Sequence, residues 1–323
     1  MFFYITGQIL DLQLHTMTQK ITIVHKTLGT FGNPWIRPLL EPWFNFEQYQ
    51  SDKIYDARCL FYIGGYSIGT IKDHKFYQEC LPLGRKLIYD NLFDPLENHT
   101  PDVFVLNNDN WFWYNESLLF RFYEYNRYVP DKNYKKLALM PLRRRRPYRD
   151  QLVTKMSPWL DQCHWSYMEN GRQLPGDRNA EKYDTQRDFQ EFWYNDTCFS
   201  IVSETLITNF SQSQIFLSEK TMKPLAFFHP MLIWGQAGSL EKLRSMGFET
   251  FENLFDESYD KEANHNIRLA KIINNVKNYS NKEYDTTTWQ KLQHNRNRFF
   301  DTELIKNKLF TDLIAPLLDY AET

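Results

Sequence analysis

The sequence predicts an α/β protein built from two domains, each around a mainly parallel sheet. Three observations carry this. Short apolar runs of strand length, rich in Ile, Val and Phe, recur roughly every twenty residues and end in turn residues, the pattern of buried parallel strands with crossover helices. The pattern halts at PDKNYKK, a polar, turn-rich stretch, and then restarts. The chain has 323 residues, enough for two ordinary cores.

In chain order, ITIVHK (21–26), CLFYIGG (59–65), RKLIYD (85–90) and DVFVLNND (102–109) read as strands. SLLFRFYEYNRYV (117–129) reads as a helix with Ser117 as its N-cap. After the polar stretch, KLALMPL is a strand and PYRDQLVTKM (147–156) a helix, with Pro147 suited to the first turn. FSIVSET (199–205) is another strand. A helix is expected to start at Glu219, Lys220 and Thr221, followed by the strand MLIWG, a Gly-bounded turn and a further helix. IRLAKIINNV (267–276) is amphipathic, and the tail TELIKNKLFTDLIAPLLDYA is helical with a break at Pro316. The expected layout is a first domain over 1–130, a second over 131–300 and a helical tail over 301–323 that crosses back to the first.

Composition narrows the function classes. Lys+Arg 38 against Asp+Glu 40 gives a net charge of -2, so no global basic field draws the chain onto nucleic acid. The four cysteines are dispersed, without a CxxC pair, which suits reduced thiols and a cytoplasmic location. No apolar run reaches membrane-spanning length, and the apolar N-terminus lacks the basic region of a signal peptide. The aromatic share, 17%, is high enough for some rings to line a sugar or base site.

Two places concentrate charge at predicted strand-to-helix corners. Arg143 to Arg146 follow the strand KLALMPL, with Arg149 one turn further on. Guanidinium forks and free N–H groups at a helix start suit a pyrophosphate; a solvated basic loop is the plainer alternative. Glu219, Lys220 and Thr221 form the second. A carboxylate can accept two ribose hydroxyls, a neighbouring Lys can balance phosphate charge, and Thr can cap the helix or bind phosphate. The alternative here is capping with a surface ion pair. Glu204 and Thr205, at the end of FSIVSET, would reach the same rim if the strands are parallel neighbours.

FLSEKTMKPLAFFHPMLIWGQAGSLEKLRSMGFETF followed by DESYD resembles the C-terminal half of glycosyltransferase-like proteins frequent in phages and marine microbes, which are similar in turn to the α1,3-fucosyltransferases. That family carries a comparable [ST]-E-K segment, an N-R-x-R-x-x-R strand end, matched here by Arg143 to Arg149, and an S/T-E-T strand end, matched by Ser203, Glu204 and Thr205. The chain departs from the pattern at Leu142, where Asn is expected, and at Tyr148, where His is usual. The resemblance covers about 136–276, and the N-terminal half only in general layout.

The resemblance implies a GT-B fold, two Rossmann-like domains facing across a cleft, with an acceptor-side domain first and a nucleotide-sugar-binding domain second. It implies donor contacts from Arg143, Arg146 and Arg149 to the diphosphate, from Glu219 to the ribose and from Lys220 to phosphate, with Glu204, Thr205 and Thr221 on the same rim. No permanently bound cofactor and no metal are expected; a nucleotide sugar, possibly GDP-linked, is the co-substrate. Inverting transfer needs a general base. Asp109 and Glu116, in the aromatic segment NNDNWFWYNES, are the candidates, with Trp111, Trp113 and Tyr114 stacking on the acceptor. The acceptor is a glycan or a modified DNA base, the latter demanding base flipping. The competing expectation is a carbohydrate- or nucleotide-binding protein that keeps the fold without catalysis.

Overall fold

The computed structural model describes residues 20–26, 29–64, 75–90, 103–106, 110–174, 190–209, 215–280 and 283–323. It is an α/β structure with two sheets, every paired strand parallel to its neighbours. The chain divides into two compact units, Met1–Asn108 with Thr302–Thr323, and Asp109–Asp301. The division falls earlier than position 130, because the helix expected to close the first domain packs on a helix of the second unit.

The first unit runs β1 (Ile21–His25), a 3-10 turn (Gly29–Gly32), α1 (Arg37–Leu40), β2 (Phe44–Gln48), β3 (Leu60–Gly64), α2 (Lys75–Cys80), β4 (Lys86–Asp90) and β5 (Val103–Val105). Its sheet has the order β2-β1-β3-β4-β5. Val24, Phe61, Ile63, Leu87 and Tyr89 bury one face under Phe76, Tyr77 and Cys80 of α2, which is why these strands read as nearly continuous apolar runs.

The second unit runs α3 (Trp111–Phe122), β6 (Lys136–Leu142), α4 (Pro147–Met156), β7 (Cys163–Tyr167), α5 (Glu191–Asp196), β8 (Thr197–Ser203), α6 (Glu219–Ala226), β9 (Met231–Trp234), α7 (Ser239–Ser245), α8 (His265–Asn278) and α9 (Thr286–Phe299). The sheet order is β7-β6-β8-β9, and every residue of β8 is buried. α3 starts at Trp111, six residues before the expected cap. Ser117 is instead a buried mid-helix residue, because the apolar face needed to cover α6 begins with the Trp-rich turn. Arg296 of α9 is a buried tie. Its guanidinium donates to the carbonyls of Ala226, Asn126 and Tyr128, joining the carboxyl end of α6 to the turn after α3.

The tail returns to the first unit as α10 (Thr302–Leu309) and α11 (Ala315–Glu322), joined by a π-helical turn over Phe310–Ile314. The backbone stays helical through the π turn, with Leu309, Ile314 and Ala315 in the right-handed helical region, so the irregularity expected at Pro316 takes the form of a π-helical interruption just before it and not a full break. Lys86 donates to the Ala321 carbonyl at 2.7 Å, the Leu87 N–H donates to the Tyr320 hydroxyl at 3.2 Å, and Trp43 packs on Phe310.

Candidate functional site

In the second sheet the chain leaves β6 for β7 on one side and returns to β8 on the other. The reversal puts a topological switch point at the carboxyl ends of β6 and β8, the position at which parallel sheets bind ligands. Three segments border it: the arginine corner after β6, the Glu204 turn after β8 and the first turn of α6.

At the arginine corner, Arg146 is the extended residue before α4 and Pro147 opens the helix. Arg144 and Arg146 are exposed and Arg143 is half-buried. The Arg145 N–H donates to Glu169 at 2.6 Å, and its guanidinium pairs with Asp150 at 3.1 Å on the surface, an arrangement that fixes the loop and contributes little energy. Arg149 is buried. It donates to the Arg144 carbonyl at 2.9 Å, to the Ser203 carbonyl at 3.3 Å and to the Ser203 hydroxyl at 3.4 Å. It therefore laces the corner to the end of β8, and it has no carboxylate partner among the described residues. A buried guanidinium lacking a counter-ion is costly, and an anion above the corner would offset that cost. Tyr148, in the place of the expected His, shares its hydroxyl proton between the Glu204 and Thr205 carbonyls and sets its ring against Trp234, whose indole N–H is buried without an acceptor among the described residues.

Glu204 is fully buried and fully used. One carboxylate oxygen accepts from the Ser218 N–H at 2.9 Å and the Thr221 hydroxyl at 2.6 Å. The other accepts from the Ser218 hydroxyl at 2.6 Å and the Thr205 N–H at 3.2 Å. Glu204 and Thr221, expected on the donor rim, are bonded to each other. Both are spent on anchoring the first turn of α6, because a buried carboxylate must find donors and these are nearest. Thr205 is half-buried, its N–H and carbonyl engaged by Glu204 and Tyr148. The cap of α6 is Ser218, which accepts from the Lys220 N–H, and not Thr221.

Glu219 and Lys220 remain half-buried on that turn, paired at 2.6 Å, with the Lys220 ammonium also donating to the Ser218 hydroxyl at 3.1 Å. Burial pushes the Glu219 carboxyl up, but Lys220 and Lys223 outweigh it, and the net shift is downward. α3 packs on α6 and brings in Glu116, wholly buried. One Glu116 oxygen accepts from the Asn115 amide at 2.9 Å; the other has no partner among the described residues. Burial raises its carboxyl to about 7, against the pull of Lys223 and with a further push from Glu219. Two carboxyls in one charge cluster are driven in opposite directions, the arrangement that separates acid from base roles.

The aromatic residues expected to stack on an acceptor do not line a surface. Trp111, Trp113 and Tyr114 are all buried. Trp113 donates to the Phe299 carbonyl at 3.1 Å and packs on Phe248 and Tyr114, so these rings hold α3 in the core. Asp109 lies outside the described residues. DESYD works as a capping segment: Asp260 accepts from the Leu240 and Glu241 N–H groups at the start of α7. Among the described residues, no group of three or more His, Cys, Asp or Glu side chains could hold a metal ion, and no helix is long and apolar enough to cross a membrane.

Sequence reasoning missed Ser218, Lys223 and Trp234. Ser218 was signalled by its place just before Glu219; the other two depend on tertiary packing. Comparison with protein-family models, curated proteins and solved structures returned no match to this chain.

Proposed function

We propose that the chain is a nucleotide-sugar-dependent glycosyltransferase of GT-B type, with the donor held by the second unit. The observation that supports this best is the charge cluster of Glu116, Glu219, Lys220 and Lys223 at the first turn of α6, beside a topological switch point with an uncompensated Arg149. Glu219, kept ionised by Lys220 and Lys223, accepts the ribose hydroxyls. Lys220 and Lys223, with Arg143 and Arg146 from the arginine corner, neutralise the diphosphate, and the N-terminus of α4 adds a favourable dipole. Glu116 is the base. It takes the acceptor hydroxyl proton while the oxygen attacks the anomeric carbon and the nucleoside diphosphate departs with the bonding pair, an inverting transfer that needs no metal. The acceptor is a glycan or a modified DNA base.

The complete burial of Glu116 favours a second reading, a nucleotide- or carbohydrate-binding protein on the same scaffold without turnover. Two measurements separate them. A thermal-shift panel of GDP, UDP, GDP-sugars and UDP-sugars on wild type and Glu219→Ala tests the donor site, since a ligand raises apparent stability by mass action. A rise in wild type that the variant loses is expected; an equal response in both sinks the assignment. Donor hydrolysis then tests the base. Turnover that Glu116→Gln abolishes marks the enzyme, turnover undiminished in the variant removes Glu116 from the mechanism, and absent wild-type turnover with intact nucleotide binding marks the binder.

A further inference from the structure

We infer that binding of a nucleotide sugar at the first turn of α6 takes up a proton, which the Glu116 carboxylate receives as the ligand claims the lysines it shares with Glu219; this rests on the nucleotide reading of the second unit and not on turnover.

Two helices bring the groups together. α3 packs on α6, and Glu116 of α3 is wholly buried. The Asn115 amide serves one of its oxygens at 2.9 Å, and the other has no partner among the described residues. The charges that act on it most come from α6: Lys223, then Glu219, then Lys220. Glu219 and Lys223 lie four residues apart and so are neighbours on one helix face, while Lys220 pairs with Glu219 at 2.6 Å. A wholly buried carboxylate on α3 and a half-buried one on α6 thus draw on the same two ammonium groups.

Those ammonium groups are also what a diphosphate would claim. Lys220 and Lys223 are half-buried at the start of the helix, within reach of a ligand that Glu116 itself cannot meet without a rearrangement. A negative charge set beside them weakens their hold on the Glu116 carboxylate and favours its neutral form. The group is poised to respond. Burial pushes it up, Lys223 and Lys220 pull it down, Glu219 pushes it up again, and the balance falls at about 7. A carboxyl on the surface would stay ionised whether or not the ligand came; one buried without a lysine nearby would hold its proton beforehand. Here the bound state holds more proton than the free state, so affinity is highest below about pH 7 and falls as the pH rises through the raised value in the complex. Reciprocity makes the same coupling visible from either side: acid tightens the ligand, and the ligand retains the proton. In a transferase that proton must leave again before Glu116 can act as base, so the rate climbs with pH while the affinity declines.

Calorimetric titration of the full chain with GDP-mannose, GDP-fucose, UDP-glucose and UDP-galactose tests this near pH 7.5. Run in PIPES and in Tris, it gives the protons exchanged from the difference in heat, because the diphosphate diesters do not themselves titrate near neutral pH. At least one ligand is expected to bind with uptake of about 0.5 proton, the amount for a Glu116 value moved up by about one unit. Its affinity should fall by up to about tenfold between pH 6 and pH 9. Glu116→Gln should bind with uptake below about 0.1 proton, having no carboxyl to titrate. If that variant does not fold, Lys223→Gln serves: its Glu116 has lost its stronger cation before any ligand arrives, and uptake should drop at least twofold. Binding without uptake, or with uptake that neither variant changes, overturns the coupling and leaves the nucleotide reading standing. Absence of binding by all four ligands overturns both.

Discussion

Replacing Glu204 by Gln should loosen the first turn of α6 without changing the shape of the side chain. Each carboxylate oxygen serves one backbone N–H and one hydroxyl: Ser218 N–H with Thr221 on one side, Thr205 N–H with the Ser218 hydroxyl on the other. Whichever way the amide of Gln turns, its NH2 faces one of these pairs. The hydroxyl can rotate and become the acceptor; the backbone N–H cannot, and is left buried without a partner. One orphaned N–H costs about 1–3 kcal/mol, and the weakening of the two retained bonds on loss of charge brings the expected total to about 2–4 kcal/mol. Glu204→Ala orphans all four donors and should cost more. Urea denaturation reads the total as a midpoint shift at unchanged slope. Hydrogen exchange over 215–226 reads its location, because a local loss of anchoring raises exchange there first. If Glu204→Gln changes stability by less than about 0.5 kcal/mol and leaves exchange over 215–226 as in wild type, the carboxylate is not the anchor described here.

Two further outcomes are expected. The Glu116 carboxyl rises from 4.5 to about 7 on folding, so between those values the folded state holds the proton that the unfolded chain has lost. Stability from this group is therefore present at low pH and falls as pH rises from about 4.5 through 7, by on the order of 3 kcal/mol. Glu116→Gln should flatten that part of the stability–pH profile and make the protein more stable than wild type at pH 8; identical profiles would exclude a raised carboxyl. Arg296→Met should lose about 3 kcal/mol or more, because carbonyls of Ala226, Asn126 and Tyr128 lose a shared donor; a calorimetric loss below about 1 kcal/mol would show that the tie is dispensable.

The parallel strands with unbroken apolar runs were legible in the sequence: β1, β3, β4, β5, β6, β8 and β9 all fall where the runs lie. Two of the four edge strands were not. FNFEQ and CHWSY alternate polar with apolar residues and so lack the unbroken apolar run that made the other two edge strands, β5 and β9, legible. The WFWYNES segment was read as a rim because Trp and Tyr serve cores and ligand sites alike, and only packing on Phe248 and α6 settles which. Glu219 and Lys220 could be read as a helix start from local order. The role of Glu204 could not, since its donors at Ser218 and Thr221 lie 14 and 17 residues away along the chain.

The split composition of the first unit has a consequence for biosynthesis. Tyr320 and Ala321 supply bonds to β4, yet they leave the ribosome only after every residue of the second unit has been made. The first unit therefore cannot complete itself before the second has been synthesised, unlike an amino-terminal domain continuous in sequence. A stop codon just before Thr302 would thus leave every residue of the second unit in the product while removing the bonds that Tyr320 and Ala321 give to β4, in the sheet that was translated first.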